Sequence, residues 1–130
     1  MTAETEPTSE AAPTTDGDTI AVAVAAARAA DAKDGEAIEV LDVSGVFVLF
    51  DAFVLVSGRT ERQVKAIADE AERVVREETG RSPKAVEGRD SLHWVLLDYG
   101  DVVVHVFVEE DRGYYRLERL YGDVPRLQWS

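Results

Sequence analysis

HWVLLDYGDVVVHVFV, residues 93–108, holds two apolar runs separated by Tyr99-Gly100-Asp101. Apolar runs on either side of a Gly-Asp pair predict an antiparallel hairpin with Gly100-Asp101 near its turn. The two-residue period of a strand puts Trp94, Leu96 and Asp98 on one face of the first arm. In the second arm His105 is opposite in phase to Val102, Val104, Val106 and Val108. A histidine inside so apolar a strand reads as a core or interface residue satisfied by one hydrogen bond. A general base would need a nearby partner and a substrate pocket, and no Ser or Cys nucleophile motif accompanies it. His93 opens the hairpin and reads as exposed.

Upstream of the hairpin, Pro83 to Glu87 predicts a short edge strand. Before it, Glu61 to Thr79 is the clearest helix of the chain, with Thr60 as N-cap and Gly80 at C′. Val64, Ile67, Ala68, Ala71, Val74 and Val75 form its apolar stripe, and charged residues occupy the other positions. Ala52 to Ser57, AFVLVS, is apolar on both faces, as a covered central strand should be. Ala37 to Val43 reads as another strand. The GVFVLFD stretch between these two either extends one of them or forms a short helical turn. Thr19 to Gly35 is an alanine-rich helix capped by Asp18 or Thr19, with Ile20, Ala23, Val24 and Ala27 as a narrow packing stripe. Downstream, Asp111 to Tyr121 resumes helical spacing, and Gly122 and Pro125 stop it. The order is α-β-β-α-β-β-β-α, an α/β domain with a mixed sheet of about five strands flanked by helices.

Residues 1–18, MTAETEPTSEAAPTTDGD, carry five acids, no Lys or Arg and one large apolar residue, Met1. Such a stretch buries too little apolar surface to offset the entropy of ordering it, so a disordered acidic tail is expected before a domain over 19–130. It has neither the basic start and apolar run of a secretory signal nor the arginines of a transit peptide. The whole 130-residue chain has a formal charge of −12, and −7 remains without the tail's acids. An excess of carboxylates excludes a protein that grips bare DNA or RNA phosphates, and disfavours an anionic membrane. A basic protein partner suits it. With no cysteine there is no disulfide or thiolate metal site, and two histidines are too few for an imidazole-rich centre. No apolar run approaches the roughly 20 residues that cross a bilayer. A soluble, cytoplasmic domain is expected.

Asp98 and Asp101 are the carboxylates nearest to a cation-site pattern. A metal-dependent nucleotidyltransferase needs two acids one residue apart on a strand, and these are three apart across a turn, so turn and edge roles fit better. Ser57-Gly58-Arg59 lies between a strand and a helix, where phosphate turns occur, yet it lacks GxGxxG or a Walker loop and reads as a tight capped turn. No metal and no cofactor are expected. Trp94, Tyr99, Tyr114, Tyr115 and Tyr121 supply aromatic area that either closes the core or forms an interface.

Six blocks resemble the ribosomal silencing factor family, also called the Iojap family. They are LDVS (Leu41 to Ser44), Asp51-Ala52-Phe53-Val54, SGRTERQVKAIAD (Ser57 to Asp69), Glu87-Gly88, WVLLDYGDVVVHVF (Trp94 to Phe107) and YYRLERLYGD (Tyr114 to Asp123). In order, they span about 85 residues. Ala52 stands where the family usually has an aromatic, and Tyr121 where it has Trp. The resemblance implies a bacterial member with a nucleotidyltransferase-like fold that lacks the catalytic acids. It implies binding to the large ribosomal subunit through ribosomal protein L-fourteen, and a steric block of union with the small subunit when nutrients are scarce. Members are often homodimers when isolated.

Carried over residue by residue, the resemblance places partner binding at Trp94, Asp98 and Tyr99, with Glu87 and His93 beside them. Trp94 would be the buried anchor and Asp98 the acceptor for Lys or Arg. Arg112, Tyr115 and Glu118 match the terminal-helix block and serve an interface or packing. A non-enzymatic repressor is therefore expected. The alternatives are a divergent nucleotidyltransferase-like enzyme using Asp98 and Asp101 with magnesium, and a homodimeric ribosome-assembly adaptor whose aromatic face meets its own copy.

Overall fold

The computed structural model describes residues 17–110 and 122–130. Its elements run α1 (Gly17–Ala32), β1 (Glu36–Asp42), β2 (Ala52–Gly58), α2 (Glu61–Thr79), β3 (Ala85–Glu87), β4 (Trp94–Asp98) and β5 (Val102–Val108). The expected helix over Asp111 to Tyr121, with Arg112, Tyr115 and Glu118, lies outside the described residues, as do positions 1–16.

The five strands form one mixed sheet in the order β1-β2-β5-β4-β3. β2 and β5 pair in parallel, Val54 opposite Val104. The other three pairings are antiparallel. The hairpin turns where expected: the Tyr99 N–H donates to Val102 O at 2.8 Å, and Gly100 takes a left-handed φ of 97°.

Strand periodicity splits the core in two. Val54, Val56, Val95, Leu97, Val104 and Val106 face α1 and α2. Leu41, Val43, Phe53, Leu55, Val103 and Phe107 build a second cluster on the opposite side of the sheet. This is why β2 and β5 are buried along their full lengths.

α2 starts and ends at the expected residues because both caps are made. Thr60 Oγ1 accepts from Gln63 N at 3.1 Å, and Gly80, at φ 79°, donates its N–H to Arg76 O. Gln63 also accepts from the Arg59 N–H at 2.6 Å and donates to the carbonyls of Lys33 and Asp34. The Arg59 N–H is thus spent on the start of α2, its guanidinium donates to Glu36 at 2.8 Å, and Gln63 ties the turn to the end of α1.

α1 departs from expectation in two ways. Its described residues are helical from Gly17, two before the expected Thr19, so Asp18 lies in a helical turn and not at a cap. Asp18 favours the first turn electrostatically and is held there by Arg81, whose Nη1 donates to its Oδ2 at 3.0 Å. The packing stripe is also wider than Ile20, Ala23, Val24 and Ala27. Thr19, Val22, Ala25, Ala26, Ala29 and Ala30 are buried, while Ile20 is 39% exposed and Val24 half-buried. An alanine-rich helix has almost no amphipathic contrast, and its small side chains let it sit closely on both α2 and the sheet.

The GVFVLFD stretch extends neither strand; it opens on a single helical turn, with Val46 N and Phe47 N both donating to Val43 O at 2.9 Å. Asp42 Oδ1 accepts from Ser44 N and Oγ, and together these bonds turn the chain back. Phe47 and Phe50 then fold inward onto Phe53, with ring centroids 5.4 and 5.9 Å away. Val48 and Leu49 are left 98% and 77% exposed. Past the undescribed segment, Leu127 N donates to Val40 O and Asp42 N to Pro125 O, so the C-terminal residues run along the free edge of β1.

Candidate functional site

Trp94, Leu96 and Asp98 do share one face of β4, the side away from the helices. Register places Trp94 opposite Phe107, Leu96 opposite His105 and Asp98 opposite Val103 on β5. β3 adds Glu87 opposite Leu96 and Ala85 opposite Asp98. One surface therefore gathers side chains from three strands, with Phe53 of β2 beneath.

The half-buried Trp94 ring stacks on Phe107 at 5.3 Å and 23°, and on His105 at 5.9 Å and 29°. Its indole N–H donates to His105 Nδ1 at 3.2 Å. Phe53 meets the imidazole edge-on at 4.8 Å. Trp94 is thus a rigid platform with few conformations to lose on binding. Beside it opens a cleft of about 240 Å³ between Phe50, Phe53, Leu96 and Val103, with Glu87 and Asp98 also on its walls and His105 forming part of one side.

Asp98 Oδ1 accepts from the Gly100 N–H at 2.8 Å, which holds the carboxylate at the turn while it stays half-exposed. Asp101 is committed elsewhere. Arg81 donates to its Oδ1 at 2.7 Å and its Oδ2 at 3.1 Å, and Thr19 Oγ1 donates to Oδ2 at 2.7 Å. Burial acts to raise the Asp101 pKa, but these hydrogen bonds and the Arg81 charge outweigh it, and the net shift is downward. Arg81 also donates to Tyr99 O at 2.6 Å, so Asp101 joins the start of α1 to the hairpin turn. Asp98 and Asp101 line one shallow depression together with Lys84, where Asp101 is already engaged by Arg81 and Thr19. Among the described residues, no group of three or more His, Asp or Glu side chains is placed to hold a metal ion.

Two of the expected binding residues sit elsewhere. Tyr99 is only 1% exposed and packs in the helix-side core with Val95 and Leu97. Burial pushes its phenol up to about 12. Residue 99 is odd-numbered where the Trp94 face is even, so its side chain follows the alternation of β4 to the helix side of the sheet. His93, half-buried, lies at the α2 end of β4, with Nε2 3.0 Å from Glu61 Oε2. Glu87 is exposed on the Trp94 side. Arg112, Tyr115 and Glu118 are outside the described residues. Phe50 and Phe53, whose sequence neighbourhood suggested only strand or turn, prove to be walls of the cleft.

His105 is 6% exposed, and burial alone pushes its pKa down to about 3. In an unfolded chain the imidazole titrates near about 6.5. The folded state resists the proton, so the contribution of His105 to stability is complete above the unfolded value and is lost as pH falls through the window below it. At pH 5 the loss is about 2 kcal/mol. Urea melts at pH 7 and pH 5 are expected to show that fall in the natural chain and a clearly smaller one in His105→Phe. Equal falls in the two proteins would refute a buried neutral imidazole.

The fold and this face together define a small mixed-sheet α/β domain whose exposed chemistry is aromatic and acidic. The chain belongs to the ribosomal silencing factor family: the family described as "Ribosomal silencing factor during starvation" matches residues 16–130. It is 46% identical over 100 residues to the ribosomal silencing factor RsfS of Bacillus subtilis, covering 77% of this chain and 84% of that one. Against the RsfS of Halalkalibacterium halodurans it is 43% identical over 103 residues, covering 79% and 87%. A crystal structure of a Chromobacterium violaceum protein superposes with a TM-score of 0.73 at 38% identity, covering 78% of this chain and 83% of that one.

Proposed function

We propose that this protein binds the large ribosomal subunit through ribosomal protein L-fourteen and sterically prevents its union with the small subunit, lowering translation under nutrient limitation. Membership of the silencing family supports the ribosomal target. The observation that carries the surface is the stacked Trp94 platform, on the same sheet face as a cleft that Asp98 and Glu87 help to wall, an aromatic anchor beside an acidic rim. Ribosomal proteins are generally basic, so a chain of net charge −12 gains encounter rate with them and is repelled by exposed RNA phosphates.

The mechanism needs no bond chemistry, cofactor or metal. A compact domain of this length is about 30 Å across, enough to hold two subunit surfaces apart. Among the described residues no helix is long and apolar enough to cross a membrane, and the proposed site of action is the cytoplasm. Sedimentation of the purified protein with isolated large and small subunits tests the reading. Co-migration with large subunits and a loss of joined ribosomes are expected. Absence of co-migration at moderate salt would refute it.

A further inference from the structure

The cleft beside Trp94 carries a chemical asymmetry that an acidic rim alone does not explain. An indole N–H can only donate, so His105 Nδ1 is the acceptor of the 3.2 Å bond from Trp94. The neutral ring then carries its proton on Nε2, a tautomer fixed by that bond. Nε2 is buried and has no hydrogen-bond partner among the described residues. The ring is also part of the wall of the 240 Å³ cleft, whose other deep walls, Phe53, Leu96 and Val103, offer no acceptor side chain. A buried donor of this kind costs free energy until an acceptor reaches it.

We propose, resting on the ribosome-binding reading above, that this cleft receives one side chain of the ribosomal protein, tipped by a neutral hydrogen-bond acceptor and presented beside a lysine or arginine. The acceptor meets His105 Nε2–H, and the basic neighbour meets Asp98 and Glu87. Neutrality follows from those same two carboxylates, which repel an acidic side chain entering between them. The volume suits a single hydroxyl- or carboxamide-bearing side chain and is too small for a helix. An acceptor that supplies the partner this buried donor lacks is favoured over a side chain that leaves it unpaired, so the contact discriminates between partners more than it adds bulk affinity.

Two variants of the full-length protein test this, each assayed for equilibrium binding to isolated large subunits and for thermal melting alone. His105→Phe keeps an aromatic ring and deletes the donor. Leu96→Trp fills the cleft from its own wall and leaves His105 in place. Both are expected to melt cooperatively and to bind at least tenfold more weakly than the natural chain. If His105→Phe does not fold, the Leu96→Trp result stands alone. Natural protein that binds while both variants bind within twofold of it overturns the cleft assignment and leaves the ribosome reading intact. A loss confined to Leu96→Trp overturns the hydrogen bond to His105. Natural protein that fails to bind large subunits overturns the reading itself, and this inference with it.

Discussion

Trp94→Ala is expected to weaken binding to the large ribosomal subunit by about 100-fold, the largest loss of any single side-chain truncation on this face. Truncating a central tryptophan in an interface commonly costs about 2–4 kcal/mol, and each 1.4 kcal/mol is about tenfold. Trp94 has the properties that put a residue within that range. Its ring is held flat by Phe107 and His105, and its N–H is already used within the protein. It therefore presents area to a partner without a desolvation penalty for the indole nitrogen. Truncation also removes packing over Phe107 and takes the donor from His105 Nδ1, so a fall in stability of about 2–3 kcal/mol accompanies it. Trp94→Phe separates the two effects, since it retains most of the stack. The binding loss should be intermediate there, with melting close to that of the natural chain. A folded Trp94→Ala protein that binds large subunits as tightly as the natural one would remove this face from the interface.

Gly88→Ala is expected to be the most damaging single-methyl addition in the sheet. Gly88 has a φ of 88°, and a Cβ there would lie 1.9 Å from the Trp94 carbonyl oxygen and 2.9 Å from its carbonyl carbon. Both are backbone atoms, so no rotamer change relieves the overlap, and the β3–β4 connection or the start of β4 must move. The connection has little freedom: Arg89 donates to Asp69 at 2.7 Å and to Glu72 at 2.6 Å, fastening it to α2. A loss of about 3–5 kcal/mol follows, or a fall in Tm on the order of 10 °C or more. Gly80→Ala is the matched control. Its φ is 79°, equally unfavourable for an L residue, but nothing lies within 4 Å of the added carbon. Only the left-handed backbone penalty of about 1–2 kcal/mol applies there. If the two substitutions cost the same in urea melts, the close approach at Gly88 is not real. Because Glu87 and Trp94 flank the displaced segment, Gly88→Ala should also weaken ribosome binding in whatever fraction stays folded.

Local signals were strong where one residue type can satisfy one geometric demand. Thr60 and Gly80 bounded α2 because a hydroxyl at the N-cap and a left-handed C-terminal residue are local requirements, met within four residues of chain. The hairpin at Gly100 and the common face of Trp94, Leu96 and Asp98 follow from the same kind of rule. Those signals failed in α1, where successive alanines leave no contrast between faces, and in residues 44–50, whose apolar side chains divide between an inward pair of phenylalanines and an exposed tip. Tyr99, grouped with Trp94 and Asp98 by the resemblance, is buried in the helix-side core, on the opposite side of the sheet from them.

The amino-acid order by itself determined the element succession, the acidic character, the family and the aromatic strand face, because each depends on spacing within a few residues or on composition. Tertiary structure decided which side chains that face contains and what chemistry is left to it. β2 and β5 become neighbours across some fifty residues, bringing Phe53 beside His105, and β3 lays Glu87 along Leu96. Arg81 removes Asp101 from the surface chemistry through contacts twenty residues away, and Trp94 settles the proton of His105 across the hairpin. Such pairings are set by which packed arrangement of the whole sheet buries the most apolar surface while satisfying its polar groups, a condition that no short window of sequence expresses.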